Sequence, residues 1–218
     1  MGRRVLWLAA IATAASALLV GSSRATANGA AAQAAPSNVT CHSGQVITGF
    51  YGTVTVPAGN YCELLQAVVE GNVNANGAKQ LGIDNSTVTG NINASGITDN
   101  GWICGSRIGG SVTVNTAASN PGTSTSPGYW DIGFADPSYC GSTGFDPVPG
   151  NSIMGTLTFE HNKSGGKITN DDIEGRLICG YNSPVPTGSN NQIDGTQAAC
   201  GQVTTGTDND TSSPGDND

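Results

Sequence analysis

The sequence predicts an all-β protein: a single-stranded parallel β-solenoid (β-helix) of about six to seven coils, with one long insertion. Three observations lead there. Gly supplies 32 of 218 residues and charged residues only 11% of the chain, against ordinary shares of about 7% and ~25%. Glycines recur at Gly52, Gly71, Gly90, Gly110, Gly155 and Gly175, with separations of 19, 19, 20, 45 and 20. Around each of them apolar and polar residues alternate with the period of two that marks a strand with one buried face.

Arg3 and Arg4 precede an apolar run from Val5 to Val20, which ends in Gly21-Ser22-Ser23 and Ala25-Thr26-Ala27. Residues 1–27 therefore read as a signal peptide, and the run is shorter than the ~20 apolar residues a spanning helix needs. The expected localisation is secreted and extracellular, with no membrane span after cleavage. Cleavage after Ala27 removes three of the eight basic residues and leaves five against 16 acidic ones, a net charge of −11. So acidic a chain repels phosphate backbones and anionic lipid, which excludes nucleic acid as a partner class. Residues 28–40 are rich in Ala, Asn and Ser and are expected to be disordered.

The solenoid domain is expected over 41–202. Two positions before the repeating glycine stand Phe50, Val69, Val88, Ile108, Ile153 and Ile173. Two after it stand Val54, Val73, Ile92, Val112, Leu157 and Leu177, and two further on Val56, Ala75, Ala94, Val114, Phe159 and Cys179. All eighteen positions suit a core. A further apolar column lies seven before the glycine at Leu64, Ile83, Ile103, Val148 and Ile168. No repeat can bury such a face alone, but coils stacked ~4.8 Å apart enclose one continuous apolar column and pair every strand with its neighbours. The glycine is expected where a bend or close backbone approach leaves no room for a Cβ. At Ile193-Asp194-Gly195 the pattern returns once, with Gln197 at the inward position, as a terminal cap. An antiparallel sandwich is the competing arrangement, yet its strands have no reason to repeat one column of residue types every 19 or 20 positions.

Cys41 and Cys62 are 21 residues apart, as are Cys179 and Cys200, so stacking brings each pair together at an end of the rod. Cys104 and Cys140 are left, and a Cys104–Cys140 bond would tie the insertion to the body. Six cysteines allow fifteen connectivities, with metal binding as the rival, but no Cys-x-x-Cys or His cluster supports a metal. The insertion is expected over 117–150. It concentrates Tyr129, Trp130, Phe134, Tyr139 and Phe145 beside Asp131, Asp136 and Asp146. Aromatics beside carboxylates are one way to stack on and hydrogen-bond to sugars, and a loop of this length also needs a small core of its own. Residues 203–218 read as a disordered acidic tail.

The run from Cys41 to Cys62, units such as Val88-Thr89-Gly90-Asn91-Ile92, and the stretch from Cys179-Gly180-Tyr181 through Pro184 and Pro186 to Cys200 resemble secreted actinobacterial proteins of unknown function. The resemblance covers roughly 41–202 and implies a cysteine-capped β-helix outside the cell; no catalytic residues come with it. The coil pattern is also similar to that of bactofilins, polymer-forming solenoids that lack an export signal and these disulfides. The 117–150 insertion departs from both patterns.

Residues flanking the inward positions form two outward rows. One runs Thr53, Asn72, Asn91, Ser111, Thr156 and Arg176, the other Thr55, Asn74, Asn93, Thr113, Thr158 and Ile178. Such ranks suit a regular polysaccharide, another solenoid or ice, while Thr also simply favours strands and stacked Asn bond along a ladder. Asp171, Asp172 and Glu174 form the densest acidic group and read as a solvated turn in preference to a Ca²⁺ site. His42 and His161 are expected at the surface, away from any nucleophile elbow. Asn85, Asn93 and Asn162 open Asn-x-Ser/Thr triplets of the glycosylation-acceptor type, frequent by chance in this composition. The function expected is that of a secreted, non-catalytic structural or surface- and glycan-binding protein, its candidate ligand residues being Tyr129, Trp130, Asp131, Thr53, Thr55, Asn72, Asn74, Asn91, Asn93 and Thr113. Expected partners are cell-wall or extracellular polysaccharide, or a second copy of the chain, and no cofactor or metal is expected. The alternatives are a polysaccharide lyase or glycosidase that uses the insertion, with Asp131 and Asp146 as the acid pair, and an ice-binding protein.

Overall fold

In the computed structural model, which describes residues 36–115, 117, 129–133 and 150–206, the alternation of the sequence becomes an alternation of buried and exposed positions. The chain is all-β, its strands are parallel, and no helix occurs among the described residues. The smaller sheet stacks β1 (Val39–Thr40), β3 (Val54–Val56), β5 (Val73–Asn76), β8 (Ile92–Ser95), β11 (Val112–Asn115), β14 (Leu157–Glu160), β17 (Leu177–Ile178) and β19 (Gln197–Ala198). The larger sheet contains two walls. One includes β6 (Gln80–Asp84), β9 (Gly101–Cys104), β12 (Trp130–Gly133) and β15 (Gly166–Thr169); the other includes β7 (Thr87–Val88), β10 (Arg107–Ile108), β13 (Ser152–Ile153) and β16 (Asp172–Ile173). At one end β2 (Gln45–Tyr51) and β4 (Tyr61–Val69) complete it, and at the other β18 (Thr187–Ile193) and β20 (Gln202–Thr205).

The expectation of a single-stranded solenoid is corrected at the larger sheet, which closes through ten parallel strands because β15 pairs with β18 as well as β12. The cause is local. β4 and β18 run through a corner without a break, so each pairs in both walls. The bends fall at Gln66 (φ 51°) and Asn190 (φ 58°), and the same corner is turned by Asn85 (φ 47°) and Asn170 (φ 61°) in coils between them. Left-handed backbone is costly for L-residues, and Asn is among the side chains that tolerate it best.

The core is the set of columns between the walls. Val54, Val73, Ile92, Val112, Leu157 and Leu177 pair in one register and are fully buried. Each such side chain contributes about 1.5–3 kcal/mol relative to exposure. The repeating glycines are required by close approach. A Cβ on Gly90 would lie 2.5 Å from the Gly71 carbonyl oxygen, to which the Gly90 N–H donates at 3.1 Å.

Several expectations are revised. Phe50 is 44% exposed, because β2 has one residue where β4 has two between Ile47↔Leu64 and Gly49↔Ala67, and a slip of one reverses the faces. Tyr51 takes the inward place beside Val69. In the column of Leu64, Ile83, Ile103 and Ile168 the missing rung is filled by Ile132, paired with both Ile103 and Ile168; Val148 lies outside the described residues. The 117–150 insertion is thus interrupted by a strand of the body, Trp130–Gly133. Within the segments read as disordered, Val39–Thr40 pairs with β3, and Val203 and Thr205 pair with Gly188 and Asn191 of β18. The 1–27 stretch lies outside the described residues, among which no helix is long and apolar enough to cross a membrane. Gln197 does cap the column, pairing with Leu177 and donating its amide to the carbonyls of Cys200 (3.3 Å) and Val203 (2.8 Å).

Candidate functional site

The two outward Thr/Asn rows separate into different structural classes. Thr53, Asn72 and Asn91 stand at the corner where the chain enters the smaller sheet, and their row is tied up by backbone. Asn72 Oδ1 accepts the Asn91 N–H (2.8 Å), Asn91 Oδ1 accepts the Ser111 N–H (2.8 Å), and Ser111 Oγ accepts the Thr156 N–H (3.1 Å). The Thr53 N–H donates to Asn38 Oδ1 at 2.8 Å. Coil ends leave N–H groups that the sheet cannot reach, and these short side chains satisfy them.

Thr55, Asn74, Asn93, Thr113 and Thr158 lie instead on the flat outer face of the smaller sheet, each in register with the next. Thr55 and Asn93 are exposed and the others half-buried, and Asn93 Nδ2 donates to Asn74 Oδ1 at 2.9 Å. No charge interrupts this row, and beside it run Asn76, Ser95 and Asn115 until Glu160 closes the series. The arrangement offers hydroxyls and amides at the ~4.8 Å strand spacing, able both to donate and to accept.

The aromatic candidates are elsewhere. Trp130 is 0% exposed and belongs to the core, so its place on a ligand-facing loop is corrected. Its ring occupies the space left by Gly101, where a Cβ would come within 2.5 Å of it. Asp131 is 2% exposed, in register between Trp102 and Lys167, and Tyr129 is half-buried, its carbonyl accepting the Gly101 N–H at 3.0 Å. Asp146 lies outside the described residues, as does Cys140, the partner expected for the disulfide-bonded Cys104. The other two expected disulfides are present, Cys41–Cys62 with Cα atoms 6.0 Å apart and Cys179–Cys200 with 4.9 Å.

On the outer side of the wall that carries Trp130, Trp102 and Cys104 form a small second core with Tyr61. Asp84 is fully buried, and its carboxyl is pushed up to about 6 by burial and then by the nearby Glu63. Sequence reasoning missed this cluster, although Gly82 opposite Trp102 was a usable signal, since a Cβ there would run into the indole. Neither Asp84 nor Asp131 presents a carboxylate to solvent. No group of three or more His, Cys, Asp or Glu suited to a metal occurs among the described residues. The acidic triplet read as a solvated turn is divided, with Asp172 and Glu174 exposed and Asp171 1% exposed. His42 and His161 are at the surface, the latter stacked on Tyr181 with ring centroids 4.8 Å apart. Asn162 is 0% exposed and bonded to the Ala117 N–H, whereas Asn93 is exposed.

No family model matches the chain, and no curated protein or solved structure matches it either.

Proposed function

We propose that the chain is an exported, non-catalytic β-solenoid of the cysteine-capped kind it resembles, and that it binds an extended, uncharged extracellular polysaccharide on the outer face of its smaller sheet. The observation that carries this reading is the row Thr55, Asn74, Asn93, Thr113 and Thr158, in register and uninterrupted by charge. A polymer of sugar hydroxyls needs many weak, evenly placed donors and acceptors, and a flat ladder supplies them at a fixed pitch. The corner row of Asn72 and Asn91 is excluded from that role, because its oxygens already accept backbone N–H groups. Stapling by disulfides at both ends of the rod fits an oxidising compartment.

The test is co-sedimentation of the oxidised protein with insoluble cell-wall and matrix polysaccharides, comparing the native chain with an Asn93→Lys, Thr113→Lys double variant. At least a tenfold weakening is expected, equivalent to about 1.4 kcal/mol. Equal binding by both chains, or binding by neither, overturns the assignment. Release of reducing ends would favour the enzyme alternative. Inhibition of ice recrystallisation, lost in the same variant, would favour ice.

A further inference from the structure

At the inner corner of the larger sheet each coil places one small residue inward: Ala67, Ser86, Ser106, Asn151, Asp171 and Asn191, all nearly or fully buried. From Ser86 onward each side chain accepts the backbone N–H of its equivalent one coil earlier. The bonds run Ala67 N to Ser86 Oγ (3.0 Å), Ser86 N to Ser106 Oγ (3.1 Å), Ser106 N to Asn151 Oδ1 (2.9 Å), Asn151 N to Asp171 Oδ1 (3.0 Å) and Asp171 N to Asn191 Oδ1 (3.0 Å).

The two amides also share a second bond. Asn151 Nδ2 donates to the Ile103 carbonyl at 2.7 Å, and Asn191 Nδ2 donates to the Ile168 carbonyl at 2.8 Å. Both acceptors sit three residues before the equivalent corner residue of the preceding coil, Ile103 before Ser106 and Ile168 before Asp171. For Asp171 that place belongs to Ile132, which pairs in register with both Ile103 and Ile168. Asp171 Oδ2 is buried and receives no hydrogen bond. A carboxylate oxygen facing a carbonyl is repelled, whereas a protonated one donates to it as the amides do.

We propose that Asp171 is a neutral carboxylic acid in the folded protein, donating Oδ2–H to the Ile132 carbonyl, and that its ionisation, which breaks that bond and leaves a charge buried in the corner, destabilises the clamp built there. The clamp holds two ends of chain. Oδ1 accepts both the backbone N–H and the side-chain amide (2.9 Å) of Asn151, just after Gly150, and it packs so tightly on Gly133 that a Cβ there would lie 2.9 Å from it. Those points are the end of β12 and the approach to β13. Among the described residues, the groups in contact with the carboxyl are uncharged, Gly133 from β12 and Asn151 ahead of β13, while Asp172 beside it is exposed on the other face of β16. Burial pushes the acid up from 3.8 to about 7, against the lowering effect of the two Asn151 bonds. Because the folded value lies above the unfolded one, the contribution is complete below about pH 4 and is lost as pH rises through about 7.

The experiment is urea unfolding of the full oxidised chain and of Asp171→Asn across pH 4 to 8, with infrared spectra of both. The folding equilibrium constant of the native chain, relative to the variant, is expected to fall by up to about tenfold per pH unit between about pH 4 and 7. At pH 5 the infrared difference should carry the C=O stretch of a protonated carboxyl. Parallel pH profiles, or a carboxylate band in that difference at pH 5, overturn the proposal. So does an Asp171→Asn chain that fails to fold, since the amide is the group found at 151 and 191.

Discussion

Gly90 shows how one atom decides a position. Its N–H reaches the Gly71 carbonyl, and a Cβ would collide with that oxygen. Gly90→Ala is therefore expected to destabilise the protein by about 2–3 kcal/mol, from overpacking that backbone cannot relieve. Gly201→Ala, with open space at its Cβ, should change the urea midpoint by less than about 0.5 kcal/mol equivalent. Equal effects of the two would show that the repeating glycine serves chain flexibility instead. The requirement for glycine was legible in the sequence, because only a steric demand repeats one residue type so strictly. The contrast between Asn72 and Asn74 was not. Both precede or follow the same inward valine, and only the corner geometry commits the first to a backbone N–H.

At the level of elements, strands follow the alternation except where the register slips or a corner is polar. β2 turns Tyr51 toward the core, half-buried, and exposes Phe50 because it is one residue short against β4, a deletion that no residue count within one coil reveals. β12 was hidden for a related reason. The glycine that follows it in the repeat comes 45 residues after Gly110, while Trp130–Gly133 keeps its rung. The corner itself is an element, a buried file of hydrogen bonds between coils. Ser106→Ala removes the acceptor of the Ser86 N–H and leaves that group buried without a partner. The expected cost is about 1–3 kcal/mol in urea unfolding. A loss below about 0.5 kcal/mol would mean that the N–H finds another acceptor.

For the whole molecule, the ends are the weak places, since a terminal coil has only one neighbour to pair with. The two disulfides between coils stand there, each closing a loop of 21 residues. Replacing Cys179 and Cys200 by Ser should lower stability by about 3 kcal/mol, from the added entropy of the unfolded chain. Hydrogen exchange should quicken first in β19 and β20, and uniform quickening along the chain would contradict a local role. This pairing, the all-β class and the parallel stacking were determined by the sequence alone, because a period of 19 or 20 residues lets like side chains meet only in one register. Closure of the larger sheet, the enclosure of Trp130 and the isolation of Asp171 among amides were decided by tertiary structure. Each depends on which residues of distant coils face one another around a corner, and the separation that brings them together is altered by the long connection between Gly110 and Gly155.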